Sequence, residues 1–409
     1  MFFTLVVFLA ILAVLVISHE FGHFIAARKS GMKVYEFGFG FPPRLIGIQF
    51  IKDANGKSKL RFIGRKKTSE AMPRTEPPSG SGTGVEEEDA SGGGTIYSLN
   101  LIPLGGFVRI KGEEGQETGP DSFVSKPAWQ KAITLAAGVT MNIILAWVLL
   151  SIGFGIGIPQ PVEDARPGMT VKDRNVQIVQ VMSGKPADLA GLKPGDIFLA
   201  VGELVNPELK AMQDYMDAHK NETINLKIKR GDEIFDKTIT TFVYEDTGHG
   251  GLGVAIVDAG LVSYPWHKAI WYGFLATGAY LKEILVSFYL LFKGLFSGAA
   301  VGEALSGPVG IAVLTGQVAK MGFAYLLNFT ALLSLNLAII NILPIPALDG
   351  GRLLFLAISK IIRRPLSQKY EQLAHTLGFV ALMILVVLVT IKDLGNFKGF
   401  FIDLWNNII

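Results

Sequence analysis

The sequence predicts a polytopic α-helical membrane protein with about four transmembrane helices, a membrane-associated β-hairpin and an inserted extracytoplasmic α+β domain. Three observations carry that prediction. Half of the 409 residues are hydrophobic, only 18% are charged, and the mean hydropathy is +0.40. The apolar residues are gathered into runs long enough to cross a bilayer. Basic residues are concentrated in loops that should face the cytoplasm. Lys plus Arg is 38 against 35 Asp plus Glu, a net +3 too balanced to indicate nucleic acid. Composition excludes collagen and disorder throughout. With no cysteine, a disulfide scaffold and a thiolate metal site are excluded too, so any metal must use His, carboxylate or amide ligands.

Taken in order, residues 1–27 form the first span. Residues 2–17 contain one polar residue, Thr4, and no Lys or Arg occurs before Arg28. A cleaved signal peptide would want a basic start and a small-x-small site, so a retained helix is the better reading. Residues 28–131 follow as a cytoplasmic or membrane re-entrant β region. Asp53-Ala54-Asn55-Gly56 is a turn signal between two apolar runs, and a Ser/Gly/Pro/Glu-rich insert at 68–94 should be flexible. Residues 95–112 alternate in strand fashion and are broken by Pro103 and Gly105-Gly106. They fit a hairpin dipping towards the membrane, or a cytoplasmic surface hairpin. Residues 132–158 are the second span.

Within 174–245 the short strand VQIVQV begins at Val176, and Leu209, Met212, Tyr215 and Met216 recur at helical spacing. This small α+β domain carries no catalytic pattern. Peptide recognition at a sheet edge is its expected role. Residues 265–298 hold Lys268, Lys282, Glu283 and Lys293 among Trp and Tyr, the composition of interfacial amphipathic helices. Residues 321–351 and 373–393 provide the third and fourth spans, and 394–409 a C-terminal tail.

Charge supports four spans. Residues 28–74 hold twelve Lys or Arg against three acids, whereas 160–264 hold eleven basic and sixteen acidic residues. The loop after Asp349 is again basic. Four spans put both basic regions in the cytoplasm and the α+β domain outside. A fifth, at 265–296, would reverse the last two helices.

His19-Glu20-Phe21-Gly22-His23 carries the chemistry. On a helix, positions i and i+4 share a face, so two imidazoles can grip one metal while Glu20 accepts a proton from metal-bound water. The alternative is an interfacial cap of polar residues where the first helix leaves the membrane. Catalytic zinc takes three protein ligands plus water. His219 and His249 fall on the exported side, and His375 is geometrically possible. Asp349 is the better third ligand. It is an isolated acid after a long apolar run, where Pro344 and Pro346 break the helix and Gly350-Gly351 allow a tight turn. The proposed site is therefore His19, His23 and Asp349 around one zinc ion per chain. Asn336 and Asn341 lie in an apolar helix, and each could hold substrate, stabilise an oxyanion, or simply bond neighbouring helices. Asn142 reads as a packing amide.

HEFGH at 19–23, FGFGFPPRL at 37–45, SLNLIPLGGFVRIKGE at 98–113, GPVGI at 307–311 and NLAIINILPIPALDGG at 336–351 occur in an order that resembles the site-2 protease family of intramembrane zinc metalloproteases, in particular its bacterial RseP-like branch. The resemblance implies a multi-pass enzyme of the bacterial cytoplasmic (inner) membrane that cuts transmembrane segments, with its active site towards the cytoplasm. It implies zinc ligands His19, His23 and Asp349, Glu20 as catalytic base, and substrate handling by Asn336 and Asn341. Ile102, Pro103, Leu104, Gly105 and Gly106 would belong to a membrane re-entrant β-hairpin.

The 174–245 domain looks like a single PDZ domain. It would take peptide termini in a groove marked by Val176, Ile178, Val179, Leu209, Met212 and Met216. The implied partners are the lipid bilayer and single-pass membrane proteins such as anti-sigma factors, pre-cleaved by a site-1 protease, or remnant signal peptides. No nucleic acid is expected. One PDZ domain in place of the two of the best-known branch, and the 68–94 insert, depart from the family pattern. A metal transporter would not need Glu20 beside a ligand, and a non-catalytic scaffold would not need the His-Glu-His-Asp set.

Overall fold

A computed structural model describes residues 2–52, 58–64, 94–113, 117–162, 168–231, 233–244, 247–297, 307–364 and 366–396. Most of the 68–94 insert and of the C-terminal tail lies outside them. In chain order, helix α1 (Phe2–Lys29) leads into strands β1 (Val34–Lys52), β2 (Ser58–Ile63) and β3 (Ile96–Ile110), then helix α2 (Ala128–Ile156). Next come β4 (Ile158–Pro161), β5 (Thr170–Val181), the single-turn α3 (Pro186–Leu189), β6 (Ile197–Val201), β7 (Leu204–Val205), α4 (Leu209–Ala218), β8 (Thr223–Arg230), β9 (Glu233–Thr240), β10 (Phe242–Val243), β11 (Gly250–Gly251) and β12 (Val254–Ser263). Helices α5 (Trp266–Phe296), α6 (Pro308–Met321), α7 (Phe323–Ile342), α8 (Asp349–Ile362) and α9 (Gln368–Asn396) follow.

Several long apolar helices make the chain compatible with a polytopic membrane protein. Among the described residues, five are long and apolar enough to cross a bilayer: Phe3–Lys29, Ala128–Ile156, Trp266–Gly294, Phe323–Ile342 and Lys369–Gly395. Trp266–Gly294 is the least apolar, with a mean hydropathy of 1.4 against 1.8 to 2.5 for the others. Where the sequence suggests separate interfacial helices, it forms one helix of 31 residues. The chain divides into two compact units, residues 1–146, 279–316 and 332–409 in one and 147–278 with 317–331 in the other.

The first unit holds α1, most of α2, the part of α7 from residue 332 onward, α8 and α9, with the three-stranded sheet β2-β1-β3. Helix α1 stops because Gly31 takes a left-handed φ of +66°, letting Met32 N–H reach Ala27 O and Gly31 N–H reach Arg28 O. That pair of bonds is a Schellman ending. Ala27, Met32, Val34 and Ile110 then bury the junction of α1 with the sheet. β1 and β2 pair with Phe50 opposite Leu60, as the Asp53–Gly56 turn signal predicts, although the turn itself lies outside the described residues. The sheet exposes Phe50, Leu60, Phe62, Leu99 and Leu101, an apolar face suited to lipid contact.

Within the third span, expected over 321–351, the helix breaks where the prolines predict: Pro344 and Pro346 stop α7 at Ile342, and a new helix starts at Asp349. One sequence expectation changes here. The basic stretch after Asp349 is not a loop but the amphipathic α8, on which Leu354 and Phe355 stand four and three residues before Ile358.

The second unit is built on the sheet β4-β12-β5-β6-β8-β9, with β7 paired to β6. Its core contains Val176, Ile178, Phe198, Met212, Met216, Leu226 and Ile228. This corrects the predicted groove. Val176, Ile178, Met212 and Met216 are interior residues, and Leu209 is half-buried at the core margin. The cause is strand parity: residues 176 and 178 share the inward face, and Val179, 49% exposed, takes the outward one. β5 is also an interior strand, paired with β12 along its length and with β6 at Val176 and Gln177. Asp196, fully buried, is held by the Arg230 guanidinium at 2.6 and 2.7 Å and by the Lys193 N–H at 2.9 Å. In return, the Asp196 carboxylate pushes the Arg230 pKa up from its ordinary value.

Candidate metal centre

Helix periodicity puts His19 and His23 one turn apart on α1, with ring centroids 4.8 Å apart. The Asp349 carboxylate comes from the far end of the chain. Pro344 and Pro346 end α7, Ala347 takes a left-handed φ of +79°, and Leu348 starts α8 from an extended conformation. The turn is tight enough to need glycine. A Cβ on Gly350 would lie 2.2 Å from the Ile342 and Leu343 carbonyl oxygens, and one on Gly351 2.4 Å from Ile345 O. Asp349 thus enters at the first turn of a helix, where backbone N–H groups favour negative charge.

Three ligand atoms meet. His19 Nε2 lies 3.1 Å and His23 Nε2 3.3 Å from Asp349 Oδ2, and the two Nε2 atoms are 3.2 Å apart. Ligands roughly 2.0–2.1 Å from one tetrahedral ion stand roughly 3.3 Å from each other. The donor set fits zinc in other respects as well. His23 Nδ1 donates to Thr134 O at 2.8 Å, which leaves Nε2 as a lone pair. Apart from the two imidazole nitrogens, Asp349 Oδ2 is buried without a hydrogen-bond partner among the described residues, as a carboxylate oxygen reserved for a cation would be. His19, His23 and Asp349 form a candidate metal-holding cluster among the described residues.

Helix α2 closes the other side, and its contribution is not evident from the sequence. A Cβ on Gly138 would come within 2.4 Å of His23 Nε2 and 2.8 Å of His19 Nε2, so glycine admits the imidazoles. One turn on, the Asn142 amide faces His19 Nδ1 at 3.5 Å, and its Oδ1 is buried and without a partner among the described residues. Exchanging the amide oxygen and nitrogen pairs Oδ1 with an Nδ1–H and frees His19 Nε2 for metal. Ser334 Oγ donates to Asn142 O at 2.8 Å, tying α2 to α7. Asn142 therefore stands at the site rather than serving only as a packing amide. The available signal was a glycine and an amide four residues apart, hence on one face of a charge-free helix.

A cavity of about 620 Å³ opens onto this cluster, lined among others by Glu20, Phe41, Gly106, Phe107, Glu113 and Arg352. Glu20 shares it with the ligands. The Glu20 side chain packs on β3, where a Cβ on Gly106 would sit 3.1 Å from Glu20 Cγ. Gly105, with φ +96°, lies against the Phe41 ring, and Ile102 is 44% exposed. Pro103 and Leu104 lie within β3. Glu113 and Arg352 form an ion pair that ties the turn after β3 to α8. Asn341 Nδ2 reaches within 3.5 Å of His19 Nε2. Asn336 is not part of the cluster, because its Nδ2 donates to Leu332 O of its own helix at 3.0 Å. His375 does not join the ligand set either, since its Nδ1 accepts the Ala347 N–H at 2.8 Å.

A family model described as Peptidase family M50 matches residues 7–63 and 85–385. The zinc metalloprotease RasP of Shouchella clausii is 30% identical over 439 residues, covering 96% of this chain and 99% of that protein. The regulator of sigma-W protease RasP of Bacillus subtilis is 29% identical over 437 residues, covering 96% and 98%. Among solved structures, the PDZ domain of an SdrC-like protein from Listeria monocytogenes overlaps 22% of this chain and 93% of its own length, at 22% identity and a TM-score of 0.20. The family match runs through every element that builds the cluster, α1, α2, α7 and α8, and the RasP relatives are covered almost end to end, so this chain belongs to peptidase family M50 and is a zinc metalloprotease.

Proposed function

We propose that the protein is an endopeptidase that cuts transmembrane segments of single-pass membrane proteins within the bilayer. The observation that carries this reading is the convergence of His19, His23 and Asp349 beside Glu20 in one cavity, on helices of membrane-spanning length. His19, His23 and Asp349 would hold zinc, which when bound lowers the pKa of water towards about 7. Glu20 accepts the proton of the attacking water and passes it to the departing amide nitrogen. The Asn341 side-chain amide, close to His19 Nε2, is placed to donate to the carbonyl oxygen as charge develops there. Asn336 would contribute to substrate handling only after releasing Leu332 O. A helical substrate hides its carbonyls in intrahelical bonds, so it must unwind before attack. The Ile102–Gly106 stretch of β3, one wall of the cavity through Gly106, offers extended backbone for the unwound segment to pair with.

Four spans, α1, α2, α7 and α9, are our reading of the topology. Asp349 must share a membrane side with His19 and His23, so α7 must run in the same direction as α1. Helix α2 returns the chain to the opposite side. If α5 also crossed, α6 would have to cross back before α7, and its 14 residues span only about 21 Å against a core of about 30 Å. Helix α5 therefore fits the outer interface, with the 174–245 region as an extracytoplasmic PDZ-like domain that screens substrates. The active site then faces the cytoplasmic side of a bacterial inner membrane. The B. subtilis relative's name, a regulator of sigma-W protease, supports a role in sigma-factor regulation; anti-sigma factors shortened by a first protease are the substrates we propose, with remnant signal peptides a second class.

The test is cleavage of model single-span proteins, with and without exported domains, by wild type and Glu20→Gln. The variant should keep about one zinc per chain and lose cutting by at least about 10²-fold. Cutting at the wild-type rate would remove Glu20 as the base.

A further inference from the structure

The turn that delivers Asp349 is held from α9, and the group that holds it has no part in the mechanism above. Ala347 sits at φ +79°, a conformation that a residue with a Cβ adopts reluctantly. Its N–H donates to His375 Nδ1 at 2.8 Å. Because Nδ1 accepts, the ring proton resides on Nε2. His375 stands on the wall of the cavity that holds the metal cluster, and it is the Nδ1 bond that joins its imidazole to the turn. Packing agrees. One turn along α9, Gly378 lies against the same turn, where a Cβ would come within 2.5 Å of Pro346 O and 2.7 Å of Pro346 Cβ. Phe355 of α8 meets the His375 ring at 5.4 Å between centroids, inclined at 63°. The imidazole is thus wedged between the turn before Asp349 and the helix after it.

We propose that His375 is a positioning residue of the metal site: through Nδ1 it fixes the left-handed turn at Ala347, and with it the placement of the Asp349 carboxylate against His19 and His23. The proposal rests on the metalloprotease reading. It assigns His375 no contact with metal or substrate.

The experiment measures zinc affinity of the full chain in detergent by competition with a chromophoric chelator, independently of proteolysis. Wild type should bind about one zinc per chain; a wild type that binds none would defeat the metalloprotease reading itself. His375→Ala should weaken zinc by about tenfold or more, the scale seen when support of a ligand is lost. His375→Gln should do the same, since its amide reaches the Nε2 position and not Nδ1. His375→Asn should bind close to wild type, because its Oδ1 falls near Nδ1 and can accept the Ala347 N–H. Ala347→Gly added to His375→Ala should restore affinity, since glycine holds the left-handed conformation unaided. Wild-type zinc affinity in His375→Ala would overturn the proposal. So would His375→Asn binding as weakly as His375→Ala. Should His375→Ala fail to fold, the Asn variant and the Ala347→Gly pair decide it.

Discussion

At Gly138 a single hydrogen atom in place of a methyl group decides whether two histidines can share a metal. With a Cβ contact of 2.4 Å to His23 Nε2 in prospect, Gly138→Ala must push α2 away from α1 or rotate an imidazole out of line. We expect it to lower zinc affinity by about ten- to a hundredfold, measured by chelator competition, with the helical circular dichroism retained. Unchanged affinity would mean that α2 yields freely there. Asp349→Asn should weaken zinc to a similar or greater degree, because a charged donor becomes a neutral one. The His19, Glu20, His23 and Asp349 set was legible in the sequence because each member is a polar exception inside an apolar run, and polar exceptions there are costly. Gly138 was not, since a glycine in a transmembrane helix is commonplace. Asn142 was visible as an amide, but its direction depends on how α2 rotates against α1, which spacing within one helix does not specify.

Elements show the same division between what pattern encodes and what packing decides. The long helices follow from apolar length, and the β1–β2 pairing follows from a turn signal between two strand-like runs. The peptide groove did not follow, because period-2 alternation says that residues 176 and 178 share a face without saying whether that face is the core. Helix α8 was obscured by its basic residues, although Leu354, Phe355 and Ile358 already carried the helical period. Helix α4 offers a test of local electrostatics. Asp217 near its C-terminal end accepts the Gly250 N–H at 2.9 Å and pairs with Lys220 Nζ at 3.0 Å. The Gly250 bond first, and Lys220 after it, hold the Asp217 carboxyl down to about 2 from an ordinary 3.8. A depressed carboxyl stabilises the fold above its unfolded pKa. Its contribution should therefore be complete above pH 3.8, decline below that, and vanish as pH falls through about 2. Carboxyl-carbon NMR should show Asp217 titrating near 2, and a midpoint near 4 would mean that the link from α4 to β11 is absent in solution.

For the whole molecule, the decisive property is which membrane side each segment occupies, because the metal cluster exists only if α1 and α7 point the same way. The chain has no cysteine, so single cysteines report location without background. Two positions separate the four-span reading from a five-span one, and a third marks the exported side in both. Leu189, 81% exposed in the second unit, should react with a membrane-impermeant maleimide in intact spheroplasts as Leu189→Cys. Arg364→Cys, beyond α8, should react only after the membrane is opened. Lys282→Cys, on an exposed position of α5, should react from outside without permeabilisation if α5 lies at the interface, and should be shielded if α5 crosses, because it would then sit near mid-bilayer. Labelling of Arg364→Cys in intact spheroplasts together with protection of Lys282→Cys would establish a fifth crossing at α5. Helix α7 would then run opposite to α1 and carry Asp349 to the far side from His19 and His23. Ligand separations of 3.1–3.3 Å are incompatible with that arrangement, so the labelling pattern tests the metal site and the topology together.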